Sequence, residues 1–477
     1  MRIRKTDMVE LWVDKMAYGG SGVARLNGLV IFVRGAFPGD RVMARIVKKK
    51  KDYALADLME VIDPSPDRVA APCPYSDYCG GCDFQALKYE RQLEYKREQI
   101  KDSMARIGSL AGIPIHDVIP SQRLYGYRNK MEFSFSNRPW LLPEEYAKGK
   151  DSGDIGLGLH VGGSFYKIID MDACLLQQDT GNLILREIRR YVRESGVPVY
   201  DIKTHKGFWR FLVLRYSTTH DEWLVNLVTA EENRGLVIPL AQNLCDRFER
   251  IRTVVNNINT RKASVASGET EIILSGDGYI RERIGPYEFQ VSANSFLQTN
   301  TIGARILYGK ILEYAELGGS ETVLDLYCGT GTIPIFLSGK AREVIGMEIV
   351  ESAVLDAYRN CELNNALNCH FVMGDIREKL SGIDVKPDVI IIDPPRAGIH
   401  KDIIEHIMGM TVERIVYVSC NPATMARDIA RMSEKYVIKE IQPVDMFPHT
   451  YHIEVVAKMA LRNGAWKSGD PEKPIMS

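Results

Sequence analysis

Apolar and polar residues alternate in short runs through the first sixty positions, between Met8 and Ile62. The runs are broken by Gly19-Gly20-Ser21-Gly22, Asn27-Gly28 and Pro38-Gly39-Asp40. A period of two interrupted by such turn residues predicts half-buried strands. Several short strands in so small a segment predict a barrel of the OB type over residues 1–62. Residues 63–83 are rich in Pro and Cys and read as a loop. The period then changes. Leu87, Leu93, Ile100 and Ile107 fall near helical spacing with charges between them, which predicts one amphipathic helix over 84–110. Runs such as 131–136, 156–161, 211–217 and 222–228 predict strands of an antiparallel α+β unit. The central domain is thus expected over 63–83 and 111–285, with the helix at 84–110 packing on the C-terminal sheet domain.

From residue 286 apolar strand-like runs alternate with helical segments. The runs are 322–328, 343–349, 369–375, 388–395, 414–420 and 454–460. This is the βαβ rhythm of a doubly wound sheet, expected over 286–462. Residues 463–477 are poor in apolar side chains and read as a flexible tail. The fold class is therefore α/β and β, multidomain.

Composition narrows the picture. The 477 residues are 45% hydrophobic and 26% charged, with a formal net charge of −1. No run of 18 apolar residues occurs, and the N-terminus lacks the apolar core of a signal peptide, so a cytoplasmic protein without a membrane partner is expected. Charge is uneven, however. Residues 1–60 hold twelve Lys or Arg against seven Asp or Glu, including Lys48, Lys49, Lys50 and Lys51 in succession. Such a run is either a solvated edge or a phosphate-contacting patch. Nine cysteines in a cytoplasmic chain read as ligands, nucleophiles or buried small residues.

Candidate chemistry gathers at strand ends. Val323-Leu324-Asp325-Leu326-Tyr327-Cys328-Gly329-Thr330-Gly331-Thr332 is an apolar strand, an acidic residue and a Gly-rich turn. The G-x-G-x-x-G spacing of pyrophosphate binding is absent, and a carboxylate before the glycines can meet a cationic methionine portion. Glu348, at the end of the next strand, can take two ribose hydroxyls. Asp375 ends the third strand. Asp393-Pro394-Pro395-Arg396 closes the fourth, Ser419-Cys420-Asn421-Pro422 the fifth, and Glu454 lies beyond. In an open α/β sheet these ends converge on one crevice. S-adenosylmethionine is the cofactor this pattern favours.

A cysteine and a carboxylate beside a methyl donor suit one reaction. C5 of uracil is a weak nucleophile. Thiolate addition to C6 turns C5 into a carbanion equivalent that can take a methyl group, and a base then removes the C5 proton. Cys420 is the candidate nucleophile and Glu454 the candidate base. Arg396 and nearby amides are expected to lower the thiol pKa.

These residues resemble the RNA uracil-C5 methyltransferases, most of all the bacterial 23S rRNA branch with a TRAM barrel and an iron–sulfur cluster. The resemblance covers nearly the whole chain and rests on SCNPATMARDI, DMFPHTYHIE, IIDPPRAGI and SFLQTN together. It implies Cys420 as nucleophile and Glu454 as base. It implies Gln298, Tyr327, Thr332, Glu348, Asp375 and Asp393 as cofactor-pocket positions, with Thr332 at a place where relatives vary. Cys73-x5-Cys79-x2-Cys82 with Cys174 suits iron–sulfur or zinc by donor type, and the resemblance implies a [4Fe–4S] cluster. Residues 137–153 look like an insertion. The implied partner is RNA, 23S rRNA before tRNA because simpler tRNA enzymes generally lack barrel and cluster, with no obligate protein partner. Two other classes compete: an exocyclic-amine methyltransferase, which has no use for Cys420 and Glu454, and a noncatalytic RNA-binding protein, which would not bind S-adenosylmethionine.

Overall fold

The computed structural model describes residues 3–149, 151, 153 and 155–462, so the tail expected at 463–477 lies outside the described residues. The N-terminal strands β1 (Met8–Met16), β2 (Ser21–Leu26), β3 (Leu29–Arg34), β4 (Arg41–Lys49) and β5 (Tyr53–Asp63) close into a barrel in the order β1-β2-β3-β5-β4. Alternate residues such as Val13, Ile31, Val33, Val42 and Ile46 fill it, and small Ala24, Ala44, Ala54 and Ala56 let it close tightly. Closure leaves no free edge. Buried Asp40 accepts from the amides of Phe37 (2.6 Å) and Ser65 (2.9 Å) and pairs with Arg68 at 2.7 Å. The barrel is thereby pinned to the chain that leaves it. Lys48 to Lys51 are exposed at the β4–β5 hairpin.

Helix α1 spans Tyr89–Arg106, shorter than the 84–110 expected. Leu87 precedes it in a small cluster with Phe84, Phe37 and Tyr95, and Ile107 caps it with 49% of its surface exposed. The apolar spacing therefore ran past both ends of the helix. The turn before it is fixed by the Gln92 side-chain amide, which donates to the carbonyls of Phe84 (3.0 Å) and Leu87 (2.9 Å). Ile100 and Met104 join the apolar cluster on one face of the C-terminal sheet.

The central sheet uses β6 (Lys130–Ser136), β7 (Gly156–Gly158), β8 (Trp209–Ser217), β9 (Glu222–Thr229), β10 (Ile251–Ile258) and β11 (Thr270–Ser275). Its order is β11-β10-β9-β8-β6-β7. Short α2 (Pro143–Ala147) lies before β7, and α3 (Asp179–Ser195) and α4 (Arg234–Arg247) cover the core around Trp209 and Trp223. The sheet is not wholly antiparallel: β9 and β10 run parallel. The helix α4 between them supplies the crossover that parallel neighbours need. A hairpin, β12 (Tyr279–Ile284) and β13 (Tyr287–Ser292), turns at Gly285, where φ is 62°.

The C-terminal unit begins with α5 (Thr301–Ala315). It continues through β14 (Thr322–Leu326), α6 (Thr332–Ser338), β15 (Glu343–Glu348), α7 (Glu351–Asn364), β16 (Cys369–Met373), α8 (Ile376–Lys379), β17 (Val389–Ile392), α9 (Lys401–Met410), β18 (Arg414–Ser419), α10 (Pro422–Met432), β19 (Tyr436–Val444) and β20 (Glu454–Leu461). The seven strands lie in the order β16-β15-β14-β17-β18-β20-β19. The first five are parallel and β20 runs antiparallel to both β18 and β19. One face packs on α5, α6 and α7, the other on α1, α9 and α10. The order reverses between β14 and β17, which opens the ligand crevice above their carboxyl ends. Among the described residues no helix is long and apolar enough to cross a membrane.

Candidate active site

The strand register brings the two proposed catalytic residues together. Ser419, the last residue of β18, pairs with Val455 in antiparallel β20. Cys420 therefore leaves β18 beside Glu454, where β20 begins. Asn421 caps α10, its side chain accepting from Ala423 N at 3.1 Å and donating to the Arg396 carbonyl at 3.0 Å. The Asp393–Arg396 turn and the Cys420 turn are stitched into one surface.

Burial dominates the electrostatics. The Cys420 thiol is pushed up to about 11, first by burial and then by the nearby Glu454, while Arg396 pulls in the opposite direction. The sequence-based expectation of a lowered thiol pKa is thus not met. The guanidinium acts as expected, but burial and the carboxylate outweigh it. Burial, and then Asp393, raise Glu454 well above the usual carboxylate range. Asp393 is itself pushed up to about 6 by burial. Burial thus disfavours the charged form of both groups.

At the carboxyl ends of β14, β15 and β16, Tyr327, Glu348 and Asp375 line one cavity of about 230 Å³ with Arg377, His400 and neighbours. Tyr327 takes φ of 68° as the chain turns out of β14. Glu348 accepts from the amides of Gly329 (3.1 Å), Ile349 (2.8 Å) and Val350 (2.9 Å). Asp375 is held down to about 2 by its hydrogen bonds with Arg377. Asp325, fully buried in β14, has no hydrogen-bond partner on either carboxylate oxygen among the described residues. Burial, with Asp393 and Glu348, raises its pKa well above the ordinary value. A buried carboxylate without partners calls for a cation or a donor from outside the chain. The acidic strand with its Gly-rich turn was the signal for it in the sequence.

Two of the cofactor candidates sit differently. Gln298 is buried before α5, and its carbonyl receives the Asn129 side chain at 3.0 Å. Thr332 opens α6 with its hydroxyl 3.1 Å from that of Tyr308, so a neighbouring helix already occupies it.

Cys73, Cys79, Cys82 and Cys174, distant in sequence, line a cavity of about 320 Å³. The Gly81 amide donates to Cys79 Sγ at 3.4 Å, and the Cys174 amide donates to Asn182 at 2.8 Å. Burial raises all four thiols, that of Cys79 to about 12, and Cys79 and Cys82 each feel Cys174 and Cys73. A single tetrahedral zinc would draw four sulfurs to within roughly 4 Å of one another, given Zn–S of about 2.3 Å. Among the described residues no group of three or more His, Cys, Asp or Glu that could hold a metal ion is found. The four thiols surround a space rather than a point.

Other site residues left no sequence signal. The Asp445–Glu454 segment is anchored by Lys96 of α1. Lys96 is fully buried, with Nζ 2.6 Å from Asp445 and 3.1 Å from the Phe447 carbonyl. The His449 carbonyl accepts from Asp83 and Phe84, each at 2.9 Å, one residue past Cys82. Both anchors lie some 350 positions from the segment they hold.

A seven-stranded sheet with reversed β20 and acidic residues at the carboxyl ends of β14, β15 and β17 is the frame of a methyltransferase. Comparison with known proteins makes this specific. The chain belongs to the tRNA (Uracil-5-)-methyltransferase family, which matches residues 216–460, and a TRAM domain matches residues 7–59. It is 38% identical to an uncharacterized RNA methyltransferase of Halalkalibacterium halodurans over 97% of this chain and 98% of that one. It is 41% identical to one of Chlorobaculum tepidum over 96% and 97%. Among solved structures, it is similar to the Pyrococcus abyssi tRNA (uracil-54, C5)-methyltransferase in complex with S-adenosyl-L-homocysteine, with 31% identity and a TM-score of 0.75. That similarity covers 95% of this chain and all of the other. The protein is an RNA methyltransferase of the uracil-5 family.

Proposed function

We propose that the protein transfers a methyl group from S-adenosylmethionine to C5 of a specific uridine in 23S rRNA, through a covalent bond between Cys420 and C6. The observation that carries this is the meeting of Cys420, Glu454 and Arg396 where β18 and β20 adjoin. Partnerless Asp325 fits the cationic methionine end of the cofactor, and Glu348 and Asp375 fit its ribose and adenine side. When bound, S-adenosylmethionine supplies the methyl group for C5. The work of the chain is proton handling. Cys420 gives its proton to solvent water and its thiolate bonds to C6, while the C5–C6 π pair becomes a C4–C5 double bond and the C4 carbonyl pair moves onto oxygen. After C5 is methylated, Glu454 takes the C5 proton, the double bond re-forms and the thiolate leaves. Glu454 must therefore be ionised by then. Arg396, which favours the charged form of both groups, is the residue placed to help.

The four cysteines are proposed to hold a [4Fe–4S] cluster. Four neutral thiols around a cavity rather than a point suit a multi-atom cluster better than one zinc ion, and binding would release their protons. The barrel is proposed to contact RNA through exposed Trp12 and the Lys48–Lys51 run. A tRNA substrate is the second reading. The Pyrococcus abyssi enzyme, named for uracil-54 of tRNA, is similar over 95% of this chain, so possession of the barrel does not by itself favour rRNA. Mapping 5-methyluridine in 23S rRNA and tRNA of a deletion strain and its complemented control tests both. Loss from 23S rRNA alone is expected. Loss from tRNA alone moves the substrate, and loss from neither overturns the activity.

A further inference from the structure

The barrel reaches the catalytic residues through one side chain. Tyr18 stands at the tip of the β1–β2 turn, where Gly19 and Gly20 take φ of 100° and 80°. Its hydroxyl donates to the backbone carbonyl of Cys420 at 3.2 Å, across 402 residues of chain. Its ring meets that of Tyr451 edge-on, 5.5 Å between centroids at 84°, and Tyr451 lies 4.1 Å from the His452 ring. The turn itself is fixed from two sides. Gln99 of α1 donates to the Ala17 carbonyl at 3.3 Å. A Cβ on Gly20 would come within 3.0 Å of the Asp83 side chain, so the tip sits against the loop that also holds His449. The phenol is half-buried, and its ionisation is opposed by burial and by Cys420, Tyr451 and Glu454. It touches the backbone of the proposed nucleophile and lies within electrostatic reach of the proposed base.

A uridine must leave its stack to bring C6 against Cys420. A base held there needs a face to lie on, and aromatic rings supply such faces regardless of sequence. We infer that Tyr18, delivered by the barrel, is a substrate-positioning residue: its ring forms one wall of the target-base pocket and its hydroxyl fixes the Cys420 turn. This role rests on the proposed uridine-C5 chemistry and adds to it that the barrel completes the reaction chamber besides gripping RNA.

The test uses full-length protein with S-adenosylmethionine and transcripts of 23S rRNA and tRNA carrying 5-fluorouridine, whose fluorine cannot leave as a proton, so that the adduct persists on a denaturing gel. The rate of adduct formation at saturating RNA and the equilibrium affinity for RNA are measured for wild type, Tyr18→Phe, Tyr18→Ala and Cys420→Ala. Tyr18→Ala is expected to slow adduct formation about 10- to 100-fold, the scale of one lost base–aromatic stack. Its RNA affinity should stay within about threefold of wild type, because phosphate contacts dominate affinity. Tyr18→Phe, which keeps the ring and loses one hydrogen bond, is expected to slow it no more than about tenfold. An unchanged rate in Tyr18→Ala, a loss confined to affinity, or equal losses in Phe and Ala each overturn the inference. Should Tyr18→Ala not fold, Tyr18→Leu fills the volume without an aromatic face and takes its place in the comparison. An adduct that survives in Cys420→Ala, or none in wild type, sinks the proposed chemistry and the inference with it. With those two controls normal, failure belongs to Tyr18 alone.

Discussion

Replacing Lys96 by Met removes the charge partner of Asp445, and the geometry fixes how severe that is. Both side chains are fully buried, 2.6 Å apart. The Asp445 carboxylate keeps only neutral donors among the described residues, the Tyr89 hydroxyl at 2.8 Å and the Phe447 amide at 3.3 Å, while the Phe447 carbonyl loses its bond to Lys96. Breaking a buried pair from one side costs about 3–5 kcal/mol, mostly from the stranded charge. The orphaned carbonyl adds about 1 kcal/mol. Removing the charge as well, in Lys96→Met/Asp445→Asn, should recover most of the loss. The assay is urea unfolding of the two variants and wild type, with amide exchange followed across residues 445–454. Opening of that segment should speed up a hundredfold or more in the single variant. A loss under about 1 kcal/mol, or a double variant as unstable as the single one, would refute the view that Lys96 holds the segment by neutralising Asp445.

Three other outcomes are expected. Glu454→Gln should let Cys420 add to C6 and the methyl group arrive, then stall as methylated RNA bound to protein on a denaturing gel. Normal turnover would remove Glu454 from the role of base. Anaerobically purified protein should carry about four iron atoms per chain, the content of one cubane cluster, and Cys79→Ala should lower soluble yield more than Cys245→Ala; stoichiometric zinc without iron overturns this. His449 is buried and its imidazole is held down to about 4 by burial. Its folded pKa thus lies below the unfolded value of about 6.5, so the unfolded chain binds its proton first and stability falls as pH drops from about 6.5 towards 4, by about 3 kcal/mol in all. His449→Asn, which tolerates the φ of 66° there, should flatten that slope; parallel acid-unfolding curves for the two proteins would refute it.

Local pattern in the sequence sufficed for the barrel strands, whose alternation of Val, Ile and Ala with polar residues permits one buried face. It sufficed equally for β14 to β18 and β20, apolar runs that only a sheet covered on both sides can bury. It missed β19, whose Lys439, Glu440 and Pro443 break the apolar run, and it lengthened α1 because Leu87 and Ile107 keep helical spacing beyond the helix ends. The parallel pairing of β9 with β10 was likewise hidden, since strand direction depends on the crossover through α4 and leaves no periodic trace. The types of the site residues could be read directly: an acidic residue before glycines, a cysteine and a carboxylate at strand ends, three cysteines crowded together; distant Cys174 joined them only through the family resemblance. Their states could not. Burial and nearby carboxylates raise the pKa of both Cys420 and Glu454, and burial exists only once the layers have packed. The same holds for Lys96 with Asp445 and for Tyr18 with Cys420, partners hundreds of residues apart. A sequence specifies which groups a chain carries and the period on which they face a core. Which charge meets which, in how little water, is decided when separate elements close on one another, because the energies that fix it depend on distance and burial.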